Sequence, residues 1–357
     1  MVDSTDAVLA FLAAALVAWA TVPLAERFAV RVGAIDEPGP RSQHKVPTPR
    51  MSGLAILAGI EIAGWIWLPG STETTAILLG AVAVAFVGAL DDIFDLPALV
   101  KLLGQIIAAT IPVVAGVRPD VLTLPFVGGF DLGWTAYPLT VIGIVAVVNI
   151  VNLMDGIDGL AAGVVAIAAS AMAIIALSLD RYEAGLLAAV TAGGALGYLR
   201  HGFPPASSFM GDAGSNLLGY MIAVASIQGA LKTNAVVALA FPLVILAVPI
   251  LDTGFVVAKR LKYHQPIYQA DRWHFHHRMA NKGFSQRRTL AYLYGWTLVL
   301  AASALALRFV PYSDNHGHFN LPWTLLMVTV IIAAVAVSAY LVYVLEIIKL
   351  RRTDSGP

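Results

Sequence analysis

The chain has 357 residues, 59% of them hydrophobic and only 12% charged, and its 22 basic and 22 acidic side chains cancel to a formal net charge of zero. Soluble domains carry roughly a quarter charged residues, so the composition excludes an ordinary water-soluble fold. The balanced charge gives no sign of a nucleic-acid partner, and the lack of cysteine excludes a disulfide framework, a zinc-thiolate site and a cysteine nucleophile.

Apolar runs of roughly 17 to 25 residues recur, each long enough to cross a bilayer as a helix. They are expected at about 7–27, 51–69, 74–90, 98–116, 136–151, 159–179, 182–199, 213–231, 234–256, 289–309 and 322–346, with 136–151 the weakest. The first run lacks a basic stretch ahead of it and is followed by further spans, so it reads as a retained helix rather than a signal peptide. Between the fourth and fifth runs, the segment 117–135 carries Pro119, Gly128, Gly129 and Gly133 around the β-prone Val121-Leu122-Thr123-Leu124, which predicts a small hairpin on one membrane face. The expectation is an all-α polytopic membrane protein. It forms one integral-membrane domain over residues 1–357, a bundle of about eleven helices with a small extracytoplasmic hairpin.

Lys and Arg placement orients the bundle. Alternate loops, beginning with the one after the first span, together with the C-terminal tail hold 18 of the 22 basic residues; Arg118, Arg181, Lys232 and Arg308 make up the other face. Basic loops stay in the cytoplasm, so the N-terminus is expected outside the plasma membrane and the C-terminus inside. The cytoplasmic loops fall at about 28–50, 91–97, 152–158, 200–212 and 257–288, and every polar cluster of chemical interest lies on that side, where a cleft is expected.

Asp91-Asp92 ends the third run, where carboxylates are costly unless they serve a function; such a pair can hold a divalent ion or act as a base beside one. Lys101 follows, placed either to meet a phosphate or only to mark the cytoplasmic face. In Asn149-Ile150-Val151-Asn152-Leu153-Met154-Asp155-Gly156-Ile157-Asp158-Gly159, polar groups recur every third position, which on a helix gathers them near one face. Capping of the next helix explains Asp158 but not the asparagines. In Phe209-Met210-Gly211-Asp212, Asp212 reads as a helix cap or a Mg²⁺ ligand, and Phe209 as a base-stacking ring or an interfacial anchor. Asp252 reads more simply as an interhelical hydrogen-bonding group. The polar stretch 257–288 contains His274-Phe275-His276-His277 among arginines, suited to a pyrophosphate or to an amphipathic segment lying on anionic lipid. The proline-stiffened basic loop from Asp36 to Arg50 holds phosphates or only enforces orientation. No Walker-type loop, nucleophile elbow or dinucleotide fingerprint is present. Acids, bases and amides gathered at one membrane surface suit phosphoryl transfer between a soluble and a lipidic substrate.

Taken in order, Asp91-Asp92, Lys101 through Gln105, Asn149 through Gly159, Phe209 through Ser215, Pro249 through Thr253 and Asp271 through His277 resemble the motifs of the polyprenyl-phosphate N-acetylhexosamine-1-phosphate transferases. The resemblance implies transfer of the sugar phosphate from a UDP-N-acetylhexosamine to a polyprenyl phosphate such as undecaprenyl phosphate, with release of UMP. It implies Mg²⁺, or Mn²⁺ in its place, at Asp212 with Asn152 as a second ligand. It further implies Asp91 as base or lipid-phosphate positioner supported by Asp92, and Lys101 on phosphate. Phe209 would stack on uracil beside Asp158, Asn149 and Asp155 would line the nucleotide site, and His274, His276 and His277 would hold the pyrophosphate or sugar. The interrupted histidines resemble the branch that uses UDP-N-acetylglucosamine to initiate cell-envelope polysaccharides; the alternative is the muramyl-pentapeptide branch. Ser52-Gly53 departs from the paired glycines of many relatives, and Gln43 stands where a basic residue is common, which weakens the loop as a phosphate clamp. A secondary transporter is the distant rival, disfavoured because the acids sit at one face rather than at a midplane repeat interface. Oligomeric state is left open.

Overall fold

The computed structural model describes residues 4–38, 46–124, 128–230, 247–262, 275–312 and 319–344. Each expected apolar run contains a helix: α1 Ser4–Val32, α2 Gly53–Trp67, α3 Thr72–Phe94, α4 Ala98–Val114, α5 Ala136–Met154, α6 Leu160–Ser178, α7 Tyr182–Gly202, α8 Gly211–Ala230, α9 Ala247–Lys262, α11 Gln286–Phe309 and α12 Leu321–Val344. Within the ninth run, residues 234–246 lie outside the described residues. Six of these helices, α1, α3, α5, α6, α11 and α12, are long and apolar enough to cross a membrane, while α2 and α4 are shorter apolar helices. The protein is a mostly helical, multi-pass membrane protein.

Lipid tails are as apolar as leucine, so helices in a bilayer associate through close packing of small residues and through polar contacts. The α1–α7 pair follows this rule. Gly193 and Gly197, one turn apart on α7, lie against the main chain of α1, and a Cβ on either would strike the carbonyl oxygen of Phe11 or Ala15. The α1 side is small as well, with Ala10, Ala14 and Ala18 fully buried. At the other extreme, α12 keeps Leu325, Ile332 and Val335 exposed, as expected of side chains solvated by lipid. Near the site, Gly53 of α2 abuts Gly214 of α8, and Gly88 of α3 abuts the main chain of Asp212. These contacts draw the start of α2, the end of α3 and the start of α8 to one point.

The helices run past the apolar stretches that mark them. α3 continues to Phe94, α5 to Met154 and α7 to Gly202, while α8 begins at Gly211. Hydropathy marks only the part in hydrocarbon, whereas a helix continues until its backbone donors and acceptors find other partners. Asp91, Asp92, Asn152 and Asp212 therefore stand on terminal helical turns and not in loops. Asn149 and Asn152 share α5, but Asp155 and Asp158 lie in the non-helical link beyond Met154, so the four do not continue along one helix. The stretch 257–288, expected to be a loop, contains the end of α9 and a short helix, α10 Phe275–Asn281. The expected hairpin is present: β3 Val121–Leu124 pairs antiparallel with β4 Gly128–Asp131, with Val121 opposite Asp131. A second pair, β1 Ile35–Asp36 with β2 Thr48–Pro49, closes the base of the first basic loop.

Candidate active site

The two adjacent acids at the end of α3 do different work. Asp92 is 4% exposed, and its carboxylate accepts the main-chain N–H groups of Asp212 at 2.9 Å and Ala213 at 3.1 Å. It thus caps the N-terminus of α8 from a neighbouring helix, where a negative charge also meets the positive end of the helix dipole. Gly211 makes room for it: the residue has φ of 66°, and a Cβ there would run into the Asp92 carboxylate. Arg50 closes the same corner from the α2 side. Its Nε and Nη2 donate to the Asp92 carbonyl at 3.2 and 3.1 Å, and Nη2 lies 3.5 Å from the Asp95 carboxylate. Arg50 is therefore a clamp on the last turn of α3, a role its place in a basic loop did not reveal.

Asp91 faces the other way. Its Oδ1 accepts the Leu96 N–H at 2.9 Å, and its Oδ2 accepts from Lys101 Nζ at 3.1 Å. The same ammonium pairs with Asp212 Oδ2. Asn152 Nδ2 donates to Asp212 Oδ1 at 3.0 Å and to Ser215 Oγ at 2.8 Å. Residues from the ends of α3, α4, α5 and α8 thus converge on Asp212, with one cation held between two carboxylates. Asn149 stands one turn deeper on α5 and donates to Gln105 Oε1 at 2.7 Å and to the Val145 carbonyl at 2.8 Å.

The link between α5 and α6 and the segment before α8 form the adjoining wall. Asp158 Oδ2 accepts the Ala206 N–H at 3.2 Å, and Tyr294 donates to the Gly159 carbonyl at 2.5 Å. Phe209 is fixed through its main chain: its N–H donates to the Pro49 carbonyl at 2.9 Å, and its carbonyl accepts the Ser52 N–H at 3.0 Å. The serine in place of a second glycine is buried, with Ser52 Oγ 2.5 Å from Ser208 Oγ. Burial, with the neighbouring Asp92 and Asp158 charges adding to it, pushes the Asp155 carboxyl up to about 8 from 3.8. Between those two values the folded protein binds the proton that the unfolded chain releases. This group's contribution to stability therefore falls as pH rises through that window and levels off above about pH 8. Accordingly, thermal unfolding of the substrate-free protein is expected to shift downward from pH 6 to 8.5 and to shift less in Asp155→Asn; identical pH slopes in the two proteins would refute the assignment.

His274 lies outside the described residues, while His276 and His277 follow Phe275 in the first turn of α10. That helix is tied down at its start, because Asp252 of α9, 3% exposed, accepts the Phe275 N–H at 2.7 Å. The interhelical hydrogen bond expected of Asp252 is thus a helix cap. Phe275 stacks on Trp296 of α11 with ring centroids 5.9 Å apart. The histidine segment is anchored between α9 and α11.

The donor set suits a hard divalent ion. Asp91 and Asp212 already converge on one cation, and Asn152 supplies an amide beside them. Among the described residues no group of three or more His, Cys, Asp or Glu forms a metal cage. An ion here would lean on one or two protein carboxylates and complete its shell with substrate phosphate and water, which is the habit of Mg²⁺.

A family model described as glycosyl transferase family 4 matches residues 74–230, the stretch from α3 through α8 that contains Asp91, Lys101, Asn152 and Asp212. Among curated relatives, the probable undecaprenyl-phosphate N-acetylglucosaminyl 1-phosphate transferase of Bacillus subtilis is 40% identical over 304 residues, covering 84% of this chain and 85% of that one. The decaprenyl-phosphate N-acetylglucosaminephosphotransferase of Mycobacterium tuberculosis H37Rv is 34% identical over 334 residues, covering 85% and 82%. A phospho-N-acetylmuramoyl-pentapeptide-transferase from Desulforamulus reducens is 32% identical over 306 residues, covering 79% and 88%.

Proposed function

This chain belongs to the polyprenyl-phosphate N-acetylhexosamine-1-phosphate transferases, within glycosyl transferase family 4, and we propose that it moves N-acetylglucosamine 1-phosphate from UDP-N-acetylglucosamine to undecaprenyl phosphate. A phosphate oxygen of the lipid attacks the β-phosphorus of the nucleotide sugar, the bond to UMP breaks, and the anomeric bond stays intact. The product is a polyprenyl-pyrophosphoryl sugar that primes a cell-envelope polysaccharide.

The observation that carries this reading is the Lys101 ammonium held between Asp91 and Asp212 at one end of the bundle. Phosphoryl transfer needs little covalent help from protein; it needs positioned charge, and this is where the charges converge. Asp91 positions the lipid phosphate or takes its proton, and Lys101 meets phosphate oxygens. Asp212 and Asn152 would hold Mg²⁺, or Mn²⁺ in its place. Such an ion would supply positive charge to the diphosphate and to the UMP leaving group. Asp92 acts by holding Asp212. Phe209 stacks on uracil beside Asp158, Asn149 and Asp155 border the nucleotide site, and His274, His276 and His277 take the pyrophosphate or sugar. The site lies in a cleft on the cytoplasmic face of a bundle of about eleven spans, with the N-terminus outside and the C-terminus inside, a reading supported by the placement of Lys and Arg in alternate loops.

The muramyl-pentapeptide nucleotide is the second donor to test, since relatives that use it are also similar, at 32% identity against 40%. Two features favour N-acetylglucosamine: the closer similarity and the interrupted His274-Phe275-His276-His277. The test is UMP release by detergent-purified protein with undecaprenyl phosphate, Mg²⁺ and a panel of UDP-sugars. Release only with UDP-N-acetylglucosamine and lipid is expected. Release only with another donor changes the branch, and none with any donor rejects the reading. In the same assay, Phe209→Ala should weaken UDP-sugar binding by about 1–3 kcal/mol, the usual worth of one stacked base; unchanged affinity would leave the ring as an interfacial anchor.

A further inference from the structure

A second tier of polar side chains lies one helical turn beneath the site, on three of the same helices. Gln105 follows Lys101 on α4, Asn216 follows Asp212 on α8, and Asn149 precedes Asn152 on α5. Spacings of three and four residues put each amide on the face of its partner above. The amides join across the helices: Asn149 Nδ2 donates to Gln105 Oε1 at 2.7 Å, and Gln105 Nε2 donates to Asn216 Oδ1 at 3.4 Å. Gln105 is 1% exposed and Asn216 fully buried. The upper tier centres on Asp212 of α8, the lower on Gln105 of α4.

α4 also carries a broad exposed apolar side. Leu99, Leu102, Leu103, Ile106 and Ile107 are exposed along it, and lipid solvates them equally well whichever way the helix turns. Its packed side is narrow, with Gly104 set against Val87 of α3 and Ala108 and Ala109 buried, and the amide link adds to that packing from α5 and α8. A slip of one residue turns a helix by about 100° and would swing Lys101 away from both carboxylates. The amide bonds resist the slip, because an amide parted from its partner in hydrocarbon has no water to replace it. We propose that Gln105 is a positioning residue: through Asn149 and Asn216 it fixes the rotation and register of α4 and so keeps Lys101 between Asp91 and Asp212. The inference rests on the reading that Lys101 serves the transfer reaction.

The test is a double-mutant cycle in the UMP-release assay with Gln105→Leu, Lys101→Met and the pair. Gln105→Leu keeps the bulk and removes both hydrogen bonds. It should lower kcat by about 30-fold in the native background and by less than about 3-fold when Lys101 is already Met, because its effect passes through that ammonium. Gln105→Glu, whose buried carboxyl can accept from Asn149 and donate to Asn216, should recover about 5-fold or more of the loss. Full activity in Gln105→Leu, or equal losses in the two backgrounds, would overturn the proposal; a general packing defect would give the second result. If Gln105→Leu yields no folded protein, Asn216→Ala cuts the same link from α8 and goes through the same cycle with the same criteria. Native protein in each run separates the two readings, since its inactivity would reject the transferase reading rather than the role of Gln105.

Discussion

Asp212→Asn is expected to lower UMP release by about 10³-fold or more, equivalent to about 4 kcal/mol of transition-state stabilisation. Asp212 is met from three neighbouring helices. Its carboxylate meets Lys101 from α4 and Asn152 from α5, and its main-chain N–H is held by Asp92 from α3. Asparagine keeps the shape but halves the oxygen set, turns an amide N–H₂ toward an ammonium or a second amide donor, and removes the charge a divalent ion would need. The fold should survive, because the main-chain contact that starts α8 is unaltered. The checks are UMP release across a Mg²⁺ titration and thermal unfolding in detergent. Near-native turnover would remove Asp212 as a necessary group.

Asp92→Asn should fail differently, losing activity and stability together. Both Asp92 oxygens accept main-chain N–H groups at the start of α8. An asparagine offers one acceptor and sets its own N–H₂ against the second donor. The expected cost is about 2–3 kcal/mol of stability, the penalty for leaving one buried main-chain donor unsatisfied. Turnover should fall by about 10²-fold as Asp212 shifts with the helix start. Asp91→Asn is the contrast, since asparagine can still accept the Leu96 N–H, so the loss there should fall on turnover with thermal unfolding little changed. Equal melting of the native and Asp92→Asn proteins would show that the cap is not worth what its geometry implies.

Adjacent acids with opposite duties mark the boundary between what could be read and what had to be seen. In sequence, Asp91 and Asp92 are two carboxylates at the edge of an apolar run. Their positions differ by one residue, about 100° around α3, and that rotation sends one toward Lys101 and the other under α8. Periodicity could not assign them without knowing which helix lay on each side. Asn149 is a similar case: its spacing tied it to Asn152, but only the approach of α4 revealed Gln105 as its partner. Arg50 read as one charge in a basic loop, and its grip on the Asp92 carbonyl depends on a contact across 42 residues.

The sequence by itself determined that this is a multi-pass helical membrane protein, that its longer helices lie along the apolar runs, that a hairpin follows α4, and which transferase family it belongs to. Those properties follow from local quantities: the length of an apolar run against the thickness of hydrocarbon, the turn-forming glycines and the order of short motifs. Only the tertiary structure decided that Lys101 bridges Asp91 and Asp212, that Asp92 caps α8 and that Asp252 caps the helix of the histidines. Each of these is a contact between helices, and in a bilayer such contacts are set by where glycines and alanines let two backbones approach. That information is spread over pairs of helices far apart in the chain, and no single segment contains it.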